Sequence, residues 1–192
     1  MKLKKIPVFI RTVTIAPVLA AVMLIIVWCY KPDVFKTSAA LIYSLLFLTV
    51  LPTLSYPLQK YIPKYKAKGR EGQRGLAMIF AVAGYILGCV VNAIFNSTTA
   101  LWVIYLEYLL SGIFIFILNK LCHIKVSGHA CGVVGPAVLL HYLGIYWTMI
   151  PCAIIIVIVY AASLYTKRHT IGQLIGGGAV PIAAICVLKI MI

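Results

Sequence analysis

The chain has 192 residues, 64% hydrophobic and 10% charged, with a mean hydropathy of +1.08 and a net charge of +14. Soluble domains carry about 25% charged residues, so a water-solvated globule is excluded and lipid becomes the expected solvent. Only Asp33, Glu71 and Glu107 oppose 17 Lys and Arg, which excludes carboxylate-built magnesium or calcium sites and carboxylate-pair hydrolysis; no metal and no cofactor is expected.

In lipid every backbone polar group must be satisfied within the span, which leaves helices or a closed barrel. Barrel strands alternate apolar with polar residues, whereas runs such as Cys152 to Leu164 are continuously apolar. The fold class is therefore all-α, a polytopic membrane bundle of six to seven transmembrane helices, with residues 1–192 as a single integral membrane domain. No basic stretch is long enough for a separate nucleic-acid-binding module, so nucleic acid is not an expected partner. The six cysteines are scattered without a Cys-x-x-Cys pair and read as inert thiols.

In chain order, the basic start is followed by an apolar stretch at 12–30, read as a retained first helix rather than a cleaved signal. Further spans are expected at 38–58, 75–95, 99–118, 129–146, 148–165 and 171–191. Breaks fall at Lys31-Pro32-Asp33, at Asn96-Ser97-Thr98 and at Trp147 to Pro151. The fifth span is short and holds Gly132, Gly135 and Pro136, so six full spans plus one irregular segment also fit. Trp28, Trp102 and Trp147 fall near span ends, where interfacial aromatics belong.

If the spans alternate, one membrane face collects all 17 basic residues except Lys31, Lys36 and Lys189. The positive-inside bias places that face in the cytoplasm of a multi-pass cell-membrane protein. It does not account for His123, His129 and His169 gathering there too. Three segments on this face carry chemistry: a loop at 59–74 ending Lys68-Gly-Arg70-Glu-Gly-Gln-Arg74; Lys125-Val-Ser127-Gly128-His129, opening a helix; and Lys167-Arg168-His169-Thr, opening another, with Gln173 one turn on. Arginines can bind phosphoryl oxygens bidentately, and Ser127, Gly128 and His129 offer N–H groups at a helix N-terminus. One imidazole can attack phosphorus while the other protonates the leaving oxygen.

This order, a basic motif, Ser-Gly-His, then a His opening the last helix, resembles the type 2 phosphatidic acid phosphatase family over a core of about residues 60–180. The resemblance implies a lipid phosphatase with His169 as nucleophile and His129 as general acid. It further implies Arg74 with Arg70 or Lys68 as a phosphate clamp, and Ser127 with Gly128 as a cradle. The chain departs from the family's motifs at five places: Ala67 stands seven residues before Arg74 where Lys is usual, Arg74 precedes Gly75 rather than Pro, Val126 replaces a Pro, Ala162-Ser163 stand where Ser-Arg is usual, and Gln173 replaces an Asp. For the missing arginine, Lys167 or Arg168 is the expected substitute.

The expected function is hydrolysis of a lipid phosphate monoester or polyprenyl diphosphate through a phosphohistidine, with membrane lipids as surroundings. The alternative is a non-catalytic lipid-phosphate-binding or transport protein that keeps the pocket. Zinc ligation by Cys122-His123 and His129-x-Cys131 fits no common spacing and leaves the arginines idle. The sequence sets no oligomeric state. Glu107, mid-helix and outside this constellation, is expected to be neutral and bonded to Tyr105 or Tyr108.

Overall fold

The computed structural model describes residues 5–191, and every regular element among them is a helix. They are α1 (Lys5–Val13), α2 (Ala16–Tyr30), α3 (Ser38–Leu58), the one-turn α4 (Pro63–Lys66), α5 (Gly69–Ile94), α6 (Thr99–Leu121), α7 (Gly128–Tyr142), α8 (Met149–Tyr165) and α9 (Ile171–Met191). Among the described residues α3, α5, α6, Tyr146–Tyr165 and α9 are each long and apolar enough to cross a bilayer, and α1 with α2 makes one further, bent span. The protein is an all-α, multi-pass integral membrane bundle.

Its outside confirms the solvent. Ile42, Ile79, Val157 and Ile190 are exposed, while Met23, Leu24, Leu48, Leu101, Ile104 and Leu139 pack the core. Large aliphatic side chains on both inner and outer surfaces are what a lipid-solvated bundle requires.

Two expectations need correction. The first span is not one helix over 12–30: α1 and α2 meet at 54°. Pro17 lies in the first turn of α2 and has no N–H to continue a helix from α1. Ile15 is extended (φ −63°, ψ 147°), and the Thr14 hydroxyl turns back to donate to the Ile10 carbonyl at 2.8 Å. The second correction concerns the 59–74 loop, where residues 69–74 are helical. α5 runs 26 residues, about 39 Å, so its basic first turns extend beyond a hydrocarbon core of about 30 Å.

The short α7 has 15 residues, about 22 Å, yet it is the most enclosed helix. Cys131 through Pro136 are all buried, and α7 packs on α2, α6, α8 and α9. Small residues make this possible: a side chain at Gly132 would collide with Ala16, where the bent first span crosses.

Glu107 is 1% exposed in this interior and accepts a hydrogen bond at 2.9 Å from Ser111, one helical turn away. The expected tyrosine partners do not supply that bond. The hydroxyls of Tyr105 and Tyr108 and Glu107 Oε2 have no hydrogen-bond partner among the described residues.

Candidate functional site

Two chain reversals build the site, and each is set by local hydrogen bonds. α8 ends in a Schellman motif: Lys167 N–H donates to Leu164 O at 2.9 Å and Arg168 N–H to Ser163 O at 3.2 Å. Lys167 takes the left-handed conformation, φ +50°, that this motif demands. The tight reversal brings Arg168 and His169 back over Ser163, which is buried.

α9 then opens with a capping box. The Thr170 hydroxyl accepts from Gln173 N–H at 3.3 Å, and Gln173 Oε1 accepts from Thr170 N–H at 3.3 Å. The same Oε1 lies 3.2 Å from His169 Nδ1. A backbone N–H can only donate, so it fixes which end of the Gln173 amide is oxygen. His169 Nδ1 must therefore carry the proton, and in the neutral ring the lone pair sits on Nε2. Burial holds the His169 imidazole below the ordinary histidine range. The Gln173 hydrogen bond opposes that, and the positive charges of Arg11, Arg74 and Arg168 add to it.

The second reversal, residues 122–127, is pinned to α6 by Asn119. Its Oδ1 accepts from Val126 N–H at 3.1 Å, and its Nδ2 donates to Val126 O at 3.3 Å and Ile115 O at 2.9 Å. Ser127 then caps α7, its hydroxyl accepting from Ala130 N–H at 3.2 Å. Ser127 N–H donates to Gln173 O at 2.9 Å, and a side chain at Gly177 would collide with the Ser127 carbonyl. Gln173 is thus the joint of the site: its side chain orients His169, and its carbonyl holds the turn that presents His129.

The structure brings together most of the residues singled out in the sequence. His129 lies close enough to Arg11, His169 and Arg168 for their charges to bear on it, and its Nε2 is buried with no hydrogen-bond partner among the described residues. Arg74 and Arg168 bear on His169. Ser127 is at the site, but its N–H and hydroxyl are already engaged, so it shapes the turn. The open N–H groups of this helix start are those of Gly128 and His129, ahead of the capped Ala130. Lys68 and Arg70 are exposed at the outer end of α5 and do not figure among the charges felt at either histidine.

One member of the cluster escaped the sequence reading. Arg11, on α1, is half-buried, and its Nη1 donates to Ser163 Oγ at 2.5 Å. The available signal was indirect: Ser163 stands where the resembled family carries an arginine, which leaves room for a guanidinium from elsewhere. Among the described residues no three or more His, Cys, Asp or Glu side chains come together.

The fold and this charge distribution define a polytopic membrane protein with a cluster of two histidines and three arginines at one end of its bundle. The chain matches no protein family, no curated protein and no solved structure.

Proposed function

We propose that this protein is a metal-independent membrane phosphatase acting on a lipid phosphate monoester or a polyprenyl diphosphate. The observation that carries the reading is His169: its Nε2 lone pair is fixed by the Gln173 bond and its ring is surrounded by guanidinium charge. Cations gathered around a partly buried imidazole repel one another, and an anion bound among them relieves that repulsion. Phosphate is the anion for which arginines, helix N-terminal amides and a neutral imidazole are jointly suited.

In this scheme Arg74, Arg168 and the Gly128 and His129 N–H groups bind the phosphoryl oxygens. His169 Nε2 donates its lone pair to phosphorus as the bond to the lipid oxygen breaks. The arriving anion favours protonated His129, which gives its proton to the departing alcohol or phosphate. Water then attacks the phosphohistidine, His129 takes the water proton, and inorganic phosphate leaves. Gln173 positions His169 throughout. An apolar groove lined by Leu19, Val22, Pro136, Leu140 and Ile155, between α2, α7 and α8, is suited to a lipid tail.

The second reading, a lipid-phosphate-binding or transport protein, is favoured by the amide of Gln173, which stabilises an imidazolium less than a carboxylate does. Phosphate release from phosphatidate, phosphatidylglycerol phosphate and undecaprenyl diphosphate, by wild type and His169→Ala in excess EDTA, separates the two. Turnover that survives chelator and disappears in the folded variant supports the enzyme. Tight lipid-phosphate binding without turnover supports the carrier. The basic face is assigned to the cytoplasm on charge bias. Exposed Cys122 beside that face and exposed Cys29 at the far end of α2 test this by maleimide labelling of intact cells against inverted vesicles. Labelling of Cys122 from outside intact cells would reverse the orientation.

A further inference from the structure

We propose that Arg11 is a phosphate-binding residue, delivered by the bent N-terminal helix to the place on α8 where only Ser163 stands. The inference rests on the phosphate-pocket reading above and adds a ligand from outside the 60–180 core.

Arg11 is half-buried, and the charges bearing on it are those of Arg168 and Arg74, both cations. Asp33 lies in the α2–α3 turn, Glu71 is exposed on the first turn of α5, and Glu107 is bonded to Ser111 in mid-bundle. A guanidinium used only as structural glue is normally placed against a carboxylate or carbonyls. Among the described residues its hydrogen-bond partner is one neutral hydroxyl, Ser163 Oγ. A guanidinium has five N–H donors in a planar fork, so one bond to Ser163 leaves a donor edge for a second acceptor.

Ser163 lies six residues before His169, and the Schellman reversal returns the Arg168 N–H to the Ser163 carbonyl. Holding Arg11 on Ser163 keeps its guanidinium at this reversal, and its charge bears on both His169 and His129. The helix that carries it is oriented to match. Ile6, Phe9 and Val13 of α1 are exposed on the side away from the bundle, while α1 packs on α8. The 54° bend at residues 14–15 turns α1 from the direction of α2 towards the end of α8.

The test uses the full chain in detergent–lipid micelles, with the hydrolysed lipid phosphate as substrate and inorganic phosphate as competitive inhibitor. Arg11→Ala is expected to raise KM and the phosphate Ki together by about 10- to 100-fold, the range for a lost hydrogen bond to a charged group. It is also expected to move the acid limb of kcat/KM upward, because one cation fewer faces His169 alongside Arg74 and Arg168. The double variant Arg11→Ala/Ser163→Arg, which returns a guanidinium from α8, is expected to recover most of the phosphate affinity. Should Arg11→Ala fail to fold, Arg11→Lys keeps the charge without the fork and is expected to fall between the two. Unchanged KM and Ki in Arg11→Ala, with wild type active, overturns this inference and leaves the phosphatase reading standing. A weakened Arg11→Ala with no shift in the acid limb and no recovery in the double variant marks a structural tether, and overturns it too. Wild type that neither turns over lipid phosphates nor is protected from heat by phosphate removes the phosphatase reading itself.

Discussion

The two histidines of the site are held in opposite ways. His169 is tied down: its Nδ1 is engaged by Gln173, and Gln173 is itself locked by the Thr170 capping box. His129 has its Nε2 buried at the start of α7, with no hydrogen-bond partner among the described residues. A nucleophile gains from orientation before substrate arrives, whereas a proton donor needs its partner to come with the substrate. An unpaired buried nitrogen costs free energy in the resting protein, and a bound leaving group would return it. The contrast predicts different failures on the two sides.

The largest effect is expected at His169. His169→Ala should lower kcat by about 10³-fold or more and abolish the acid-labile phosphoenzyme that the proposed mechanism predicts on rapid quenching; an undiminished phosphoenzyme would move the proposed nucleophile elsewhere. His129→Ala should lower kcat/KM, which reports the phosphorylation step, by about 10²- to 10⁴-fold with an alcohol leaving group and far less with a nitrophenyl ester, whose departure needs no proton. Equal losses of kcat/KM on both substrates would deny His129 the role of acid.

As the proposed nucleophile, His169 must be neutral to attack, so activity is expected above its pKa and lost as pH falls through it. Because that pKa is depressed below 6.5, the acid limb of kcat/KM should lie below pH 6.5. Gln173→Glu, by placing an anion behind the ring, should move the limb upward. Gln173→Ala should lower kcat by roughly 10-fold through lost positioning and move the limb down, since the Gln173 bond favours the imidazolium. The smallest effect belongs to the turn: Lys167→Gly relieves a left-handed lysine and should raise Tm by about 1–3 °C.

Span placement was legible because lipid imposes a length and a polarity that composition must obey. Ser38–Leu58 and Ile171–Met191 coincide with the expected spans. The helical character of 69–74 was hidden because its glycines and charges read as loop, and nothing local announces that a helix continues into water. The bend at 14–15 was marked only by Pro17. Within the site, the His169–Gln173 pairing follows from helical spacing and could be read directly. That Ser127 spends its N–H on Gln173 could not, because the bond joins residues 46 apart in the chain and depends on Gly177 letting α9 come close.

The meeting of Ser127 with Gln173 and Gly177 also fixes a depth. Those residues lie two and six positions into α9, so the start of α7 is about 3–9 Å below the rim where α9 begins. Under the proposed phosphatase reading, a phosphate that reaches the Gly128 and His129 N–H groups must pass the turn that opens α9. A second substituent on phosphorus would meet that turn, so a preference for phosphomonoesters over phosphodiesters is expected.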